Sequence, residues 1–530
     1  MTRRRPHGTA LAALAALLAG VWAIPAAAAT KVEGEYQLML DARKDQRFFP
    51  WDWDSNNNDN WTGAQLRLFS APRAGVEAFL KFEADWNDPN NNSRRPEFQY
   101  REAHVRYRWD LGGRGVDSYL FSRQDRFWVD NYLIKVVEGG PLNDGGNAQG
   151  VRVDTWGFFG FNTTVIASDY SAQFNPVNPE GNPARGSVLQ TDDAYVVRMR
   201  REFLGQKALR LGFTFNRKNE NQINEPVERA EVYAFDSRYT WTGPQLGPLD
   251  LSSTDLALEY AESRSPITAV TFSEAQDREV TVFKKSTGLH LPDRGILVGE
   301  IRTIRLGAPQ AGYLNLAPVY WNRGPLWDNR AGASNRDETG FAFNTWYMLP
   351  ERAITLTNNY VRYKRRGFEK REDIEYYNEV YVEFVNGFTG KSYYRQRDIV
   401  RDAGGLETKE EHDDWFNELQ VESRLAWLRV QSKIKDLGTP ARKQLYAIET
   451  RLNLTDRLQA YNRFAFGNDA SILRKGLFTQ LRYRPTGSME MFIEYGPSWI
   501  GDSATPVDDG DLEGGGDQTD IFKFILKGTF

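Results

Sequence analysis

Apolar residues return at every second position along most of this chain, and nowhere beyond residue 29 do they gather into a run long enough for a membrane-spanning helix. Val32, Gly34, Tyr36, Leu38 and Leu40 alternate with Glu33, Glu35 and Gln37. Tyr195, Val197 and Met199 alternate with Val196, Arg198 and Arg200. Leu209, Leu211, Phe213 and Phe215 alternate with Arg210, Gly212, Thr214 and Asn216. Successive side chains of a strand point to opposite sides, so each such segment has one greasy and one wet face. Bent round and closed on itself, a sheet of these strands leaves no edge unpaired. The mean hydropathy of −0.60 suits this, because only alternate residues of a transmembrane barrel touch lipid. Aromatic residues at 13% suit girdles at the two membrane interfaces. The expectation is an all-β fold, one transmembrane antiparallel β-barrel of about 18 strands, within roughly 16 to 24. An array of soluble β-sandwiches is the runner-up. It wants domain linkers and faces rich in Val, Ile and Leu, whereas these faces mix Tyr, Phe, Gly and Thr.

Both ends of the chain carry signals. Arg3, Arg4 and Arg5 precede an apolar stretch over 10–24 and small residues at Ala27, Ala28 and Ala29. That order reads as a signal peptide over 1–29, leaving 30–530 as a single domain exported to the bacterial outer membrane. With the three leader arginines gone, the formal charge falls from −4 to about −7, the opposite of the basic excess that nucleic acid demands. Cysteine is absent, which removes thiolate metal sites and cysteine nucleophiles. At the far end Phe522, Phe524, Leu526, Gly528 and Phe530 share one strand face, and Lys523, Lys527 and Thr529 the other. This resembles the C-terminal signal by which outer-membrane barrels reach the barrel-assembly machinery. The family's usual aromatic third from the end is Gly528 here.

Turn residues divide the strands unevenly. Pro485-Thr486-Gly487-Ser488 and Leu454-Thr455-Asp456-Arg457 read as tight turns, and 51–60, 88–96, 174–189, 401–414 and 501–520 as long polar links. Short turns at one end and long links at the other fit an outer-membrane barrel, with lipid and lipopolysaccharide around it. Asp52-Trp53-Asp54-Ser55-Asn56 begins like a calcium loop, but Asn57 stands where that loop wants Gly and Gly63 where it wants Glu. It reads as a solvated loop, as do the acidic runs over 407–414 and 508–520. No metal and no cofactor are expected.

The segment with most chemical character lies between residues 97 and 155. Ala103, Val105, Tyr107 and Trp109 form one face, and Tyr100, Glu102, His104, Arg106 and Arg108 the other. A strand ending in Arg123-Gln124 follows, then an irregular insert over 125–147, then Gly150-Val151-Arg152-Val153-Asp154. The order Arg-Glu-Ala-x-Val-x-Tyr, Arg-Gln, insert, Gly-Val-Arg-x-Asp resembles the alginate-export and related large porin families over about 70 residues. The motifs are short. The resemblance implies a barrel of about 18 strands with a charged, partly loop-occluded lumen. It places Arg101, Glu102, Arg123, Gln124, Arg152 and Asp154 at the matching positions. The insert holds Trp128, Tyr132, Leu133, Ile134, Val136 and Val137, too apolar to float in water. Two readings stand. Either it folds into the lumen with Arg126 and Asp130 facing the passage, or it is an ordinary bulged strand or interfacial loop.

Inward faces by this register carry more basic than acidic side chains. Arg101, Glu102, His104, Arg106, Arg108, Arg123, Arg126, Asp130, Arg152, Asp154, Arg198, Arg200 and Arg210 are the candidate solute pathway. Arg302, Arg362, Arg424, Arg451, Arg463, Arg482 and Arg484 lie further round. Arginine forks suit carboxylates, and rings of cations in pores favour anions. The expected function is a channel, a porin for passive passage of solutes such as anionic sugars or polysaccharide. A neutral Arg–Glu lattice that only braces the wall is the competing reading of the same residues. Two other functions are weighed against a channel. One is a barrel sheathing a periplasmic partner or export complex. The other is an outer-membrane enzyme built on His104, His290 or His412, for which no nucleophile pairing is visible. A receptor with a plug domain ahead of its barrel is disfavoured by a strand that begins at Val32.

Overall fold

The computed structural model describes residues 29–43, 52–54, 63–85, 97–130, 133–138, 148–169, 193–204, 208–220, 228–241, 243–251, 254–264, 295–302, 304–308, 312–324, 327, 329, 331, 338–349, 354–365, 370–403, 406–440, 442–469, 472–496 and 521–530. Among them are strands and turns and no helix. The barrel has 24 antiparallel strands, each paired with its neighbours in sequence. The first, Ala29–Arg43, pairs with the last, Ile521–Thr529, in a register running from Glu35↔Thr529 to Arg43↔Ile521, so the sheet is closed. Gly295–Arg302 and Ile304–Ala308 act as one strand, because both pair with Gly312–Arg323. The expectations placed on 1–28, 88–96, 139–147, 174–189 and 501–520 lie outside the described residues.

The strand number corrects the expectation of about 18. One source of the difference is the set Lys370–Val385, Phe388–Ala403 and Leu406–Glu422, long strands whose outer ends are charged. Segment 401–414, read from its charge as a long link, belongs to two of them, and Ala403 pairs directly with Leu406. The acidic run 407–414 is likewise strand. Lys409 and Glu411 there are exposed and paired with each other. Charge ends contact with lipid without ending a hydrogen-bonded ladder. Segment 52–54, read as a solvated loop, forms a short strand against Asp41–Arg43.

Burial separates the two faces. Val105, Tyr107, Trp109, Leu211, Phe235, Leu258, Leu419 and Leu477 are exposed, while the alternate positions Ala194, Val196, Ala234, Ala261 and Ala465 are buried. The exposed apolar face is the outside of the cylinder and the small or polar face its inside. Thr254–Arg264 shows the rule: Leu256 and Leu258 are exposed, and Ala257, Glu259, Ala261 and Ser263 are buried. Arg362 breaks the expected register. It pairs across to Phe341, which is exposed on the outer face, and its guanidinium meets Glu372 at 2.6 Å. Arg424 lies in the exposed turn between Leu406–Glu422 and Ala426–Lys435. The Arg302 side chain lies outside the described set.

A mid-strand irregularity adjusts the phase near the insert. Lys81 faces Glu102 but Phe82 faces Tyr100, so Arg101 is an extra residue in its strand. Strict alternation puts Arg101 opposite to Glu102. The bulge instead brings it to Glu83, 3.3 Å away, and turns Tyr100 to the row of Phe82.

The seam explains Gly528. Gly34 and Phe530 exchange both backbone hydrogen bonds, at 2.9 and 3.0 Å. A Cβ on Gly34 would overlap the Phe530 ring, and one on Gly528 would overlap the Tyr36 ring. The aromatic missing from the third-last position is thus supplied by the first strand, a ring laid over a glycine across the ladder. Gly34→Val is expected to lower sharply the yield of closed barrel refolded into detergent. Heat-dependent electrophoretic mobility reads this, and an undiminished folded band would show that the close approach does not matter.

Candidate constriction inside the barrel

The chain leaves its strand Gly115–Ser122 at Arg123, which has a φ of 56°. Its N–H donates to Ala148 O at 2.6 Å, and its guanidinium donates to Tyr100 O. Gln124 donates to Glu102 at 3.2 Å. Residues 125–130 and 133–138 then run without strand pairing across the inner wall. Phe127, Ile134, Val136 and Val137 are buried against Phe121, Ile166, Ala194, Val196, Val232, Ala234, Ala261 and Val298, joined by Trp327 and Ala331. Alanines on the inward face leave the room that these larger side chains fill.

A segment without a ladder must satisfy its backbone elsewhere. Arg152 donates to Arg126 O at 3.0 Å and to Trp128 O at 2.7 Å while holding Asp154 with two bonds, at 2.6 and 3.0 Å. Arg198 donates to Asp130 O at 2.9 Å and grips both oxygens of Asp236. Glu259 accepts the N–H groups of Leu133, at 2.7 Å, and Ile134. Asn216 donates to Val136 O at 2.5 Å, Asn329 to Lys135 O at 3.2 Å, and Glu138 N–H to Ala331 O at 2.8 Å. The Asp130 carboxylate meets Arg200, and Arg210 at 3.8 Å. Hydrogen bonds to charged groups contribute roughly 1.5–3 kcal/mol each, so these contacts, together with the burial of Phe127, Ile134, Val136 and Val137, offset the ordering of the segment.

Most residues expected on the pathway therefore converge on this segment or its footing. Arg152 and Arg198 are buried, their guanidinium groups taken up by carbonyls and carboxylates of the protein. Arg106 pairs with Asp117 at 2.7 Å and Glu77 at 3.2 Å, and Arg210 also reaches Glu202 at 3.6 Å. Arg108 stands apart, its guanidinium 5.6 Å from the Trp156 ring. His104 sits between the rings of Phe79 and Tyr119, with Arg126 3.4 Å from Nδ1. His412 meets Asp436 at 2.8 Å, and His290 lies outside the described residues. Among the described residues no three His, Asp or Glu side chains converge as a metal site.

Sequence reasoning missed Glu259, Asn216, Asn329 and Trp327. None carried a local signal: Glu259 shares its inward face with a second acid, Asp255, which pairs with Arg238. Elsewhere the inner wall is paired along and across strands: Glu449 with Arg429 and Arg463 at 2.6 and 3.1 Å, Asp373 with Arg371 of its own strand at 2.7 Å and Arg397 of the next at 3.1 Å, Glu490 with Arg482 and Arg484 at 2.6 Å each.

No family model and no curated protein matches this chain. Solved structures do. It is similar to the siderophore receptor PirA from Acinetobacter baumannii, with TM-score 0.42 and 8% identity, over 94% of this chain and 80% of that one. For PirA from Pseudomonas aeruginosa the values are 0.45, 7%, 94% and 80%. For the translocation pore of the P pilus usher PapC they are 0.41, 6%, 94% and 99%. Identity this low says nothing of a shared ligand. With no family model matching, the alginate-export family stays a resemblance.

Proposed function

We propose that this chain is an outer-membrane channel through which solutes pass passively, narrowed by the segment beginning at Asp125. The observation that carries it is the footing of that segment: backbone groups from Arg126 to Glu138 bonded to inward side chains and backbone of a closed barrel. Wide barrels leave an aqueous lumen, and selectivity then depends on what the chain places inside it. The exposed apolar face supports a lipid and lipopolysaccharide setting. Phe522, Phe524, Leu526 and Phe530 would be the face offered to the barrel-assembly machinery, after removal of a leader over 1–29. A sheath around a periplasmic partner is less well supported, because the chain's own segment occupies the inner wall. No catalytic role is assigned.

Charge preference falls to the segment, since the wall lattice is largely paired. Arg126 is bonded there to neutral partners, Gln124 Oε1 at 3.0 Å and the His104 ring, which supports an anion preference and solutes such as acidic sugars or polysaccharide. Purified protein in planar bilayers under a KCl gradient is expected to give discrete conductance steps and a reversal potential on the chloride side. Cation preference would remove the anion reading, and folded barrel without any steps would remove the channel.

A further inference from the structure

Trp128 is 64% exposed, although Phe127 beside it and Ile134, Val136 and Val137 beyond it are buried in the inner wall. A segment that hides its other large apolar groups presents this indole to the lumen. The ring is also held. The Arg152 guanidinium lies 3.9 Å from its centroid, and that guanidinium is fixed by Asp154 and by the carbonyls of Arg126 and Trp128. One face of the indole is thus backed by a cation that cannot swing away. Arg126, two residues earlier, sits 4.5 Å over the Tyr119 ring, and Tyr119 is the direct cross-strand partner of Arg152. The two ring–guanidinium pairs therefore lie side by side. Arg126 hydrogen-bonds to Gln124 Oε1 and the His104 ring, with no carboxylate among the described residues, so its charge is open to a solute.

We infer that Trp128 and Arg126 form a binding site for solutes that combine a ring with a carboxylate, the ring stacking on the indole and the carboxylate meeting the guanidinium. The inference rests on the channel reading and names its solute chemistry. A planar donor fork matches a carboxylate, and an aromatic face takes either the C–H face of a pyranose or another aromatic ring. A uronate and an aromatic carboxylate share this chemistry.

The test is current block in planar bilayers by glucuronate, benzoate, glucose and acetate. It uses the full mature chain and its Trp128→Ala, Trp128→Phe and Arg126→Gln variants. In the wild type, glucuronate or benzoate is expected to block at lower concentration than glucose, which lacks the charge, and acetate, which lacks the ring. Trp128→Ala is expected to raise the half-blocking concentration of that solute about tenfold, with Trp128→Phe restoring most of it. Arg126→Gln is expected to bring glucuronate and glucose together. Which ring acid responds to Trp128 assigns the source. Equal block in wild type and Trp128→Ala, or acetate blocking as well as the ring acids, overturns the site while leaving the channel. Folded wild-type barrel that does not conduct overturns the channel itself.

Discussion

Replacing residues 125–147 by a short Gly–Ser turn is expected to raise single-channel conductance several-fold while the barrel still closes. Closure depends on strands that the change does not touch, since Gly115–Ser122 and Gln149–Phe158 pair with each other in register from Gly115↔Trp156 to Ser122↔Gln149. The described residues of the segment, 125–130 and 133–138, contribute no ladder of their own. Its removal leaves Glu259, Arg198 and Arg152 facing water, where the lumen hydrates them. Glu259→Ala should give a milder form of the same result, because it releases the amides of Leu133 and Ile134 while the arginine contacts remain. Its expected signature is flicker between conductance levels. A deletion variant that folds, as read by heat-dependent mobility, yet conducts like the wild type would mean that the narrowing lies elsewhere.

The second large effect is on stability. Arg198→Met is expected to cost about 3–5 kcal/mol, because it strips both bonds from the Asp236 carboxylate, leaves Asp130 O without its donor and unpairs Thr214 Oγ1. Both partners of the ion pair are largely buried, with side chains 5% and 13% exposed, so water compensates little. Lysine is not a substitute: a point charge cannot span two carboxylate oxygens and a carbonyl in one plane. Urea titration in detergent, followed by tryptophan fluorescence, measures the loss. Arg198→Met with Asp236→Asn should recover part of it, since the orphaned charge is then gone. A loss as small as that of an exposed pair, below about 1 kcal/mol, would show the interaction to be ornamental.

The closed sheet was legible because a strand's two faces repeat in the sequence without reference to anything distant. Val105, Tyr107 and Trp109 read as one face and are the exposed side, and Arg106 reads as lying opposite them and pairs with Asp117 on the inner face. The count of strands was less legible, because 401–414 has the composition of a loop and the hydrogen bonding of a hairpin. Register failed at single residues for a similar reason. Nothing in the string around Arg101 announces a bulge, and Arg362 looks inward until its neighbours across the ladder are known. The segment starting at Asp125 was recognisable as too apolar for water. Its partners were not, since Glu259 is more than a hundred residues away and Asn329 further still. A carboxylate that caps two amides carries no local pattern.

The wall-side anchors of the segment come from the arc between Tyr100 and Ala331, whereas on the arc from Lys370 to Gly496 Tyr393 and Phe416 are themselves packed into the wall. On the channel reading, an obstruction fastened to one side would leave the opening off-axis and crescent-shaped. A crescent sorts by cross-section more than by mass. Slender, extended molecules would thread it lengthwise, while rounder ones of equal weight would be turned back.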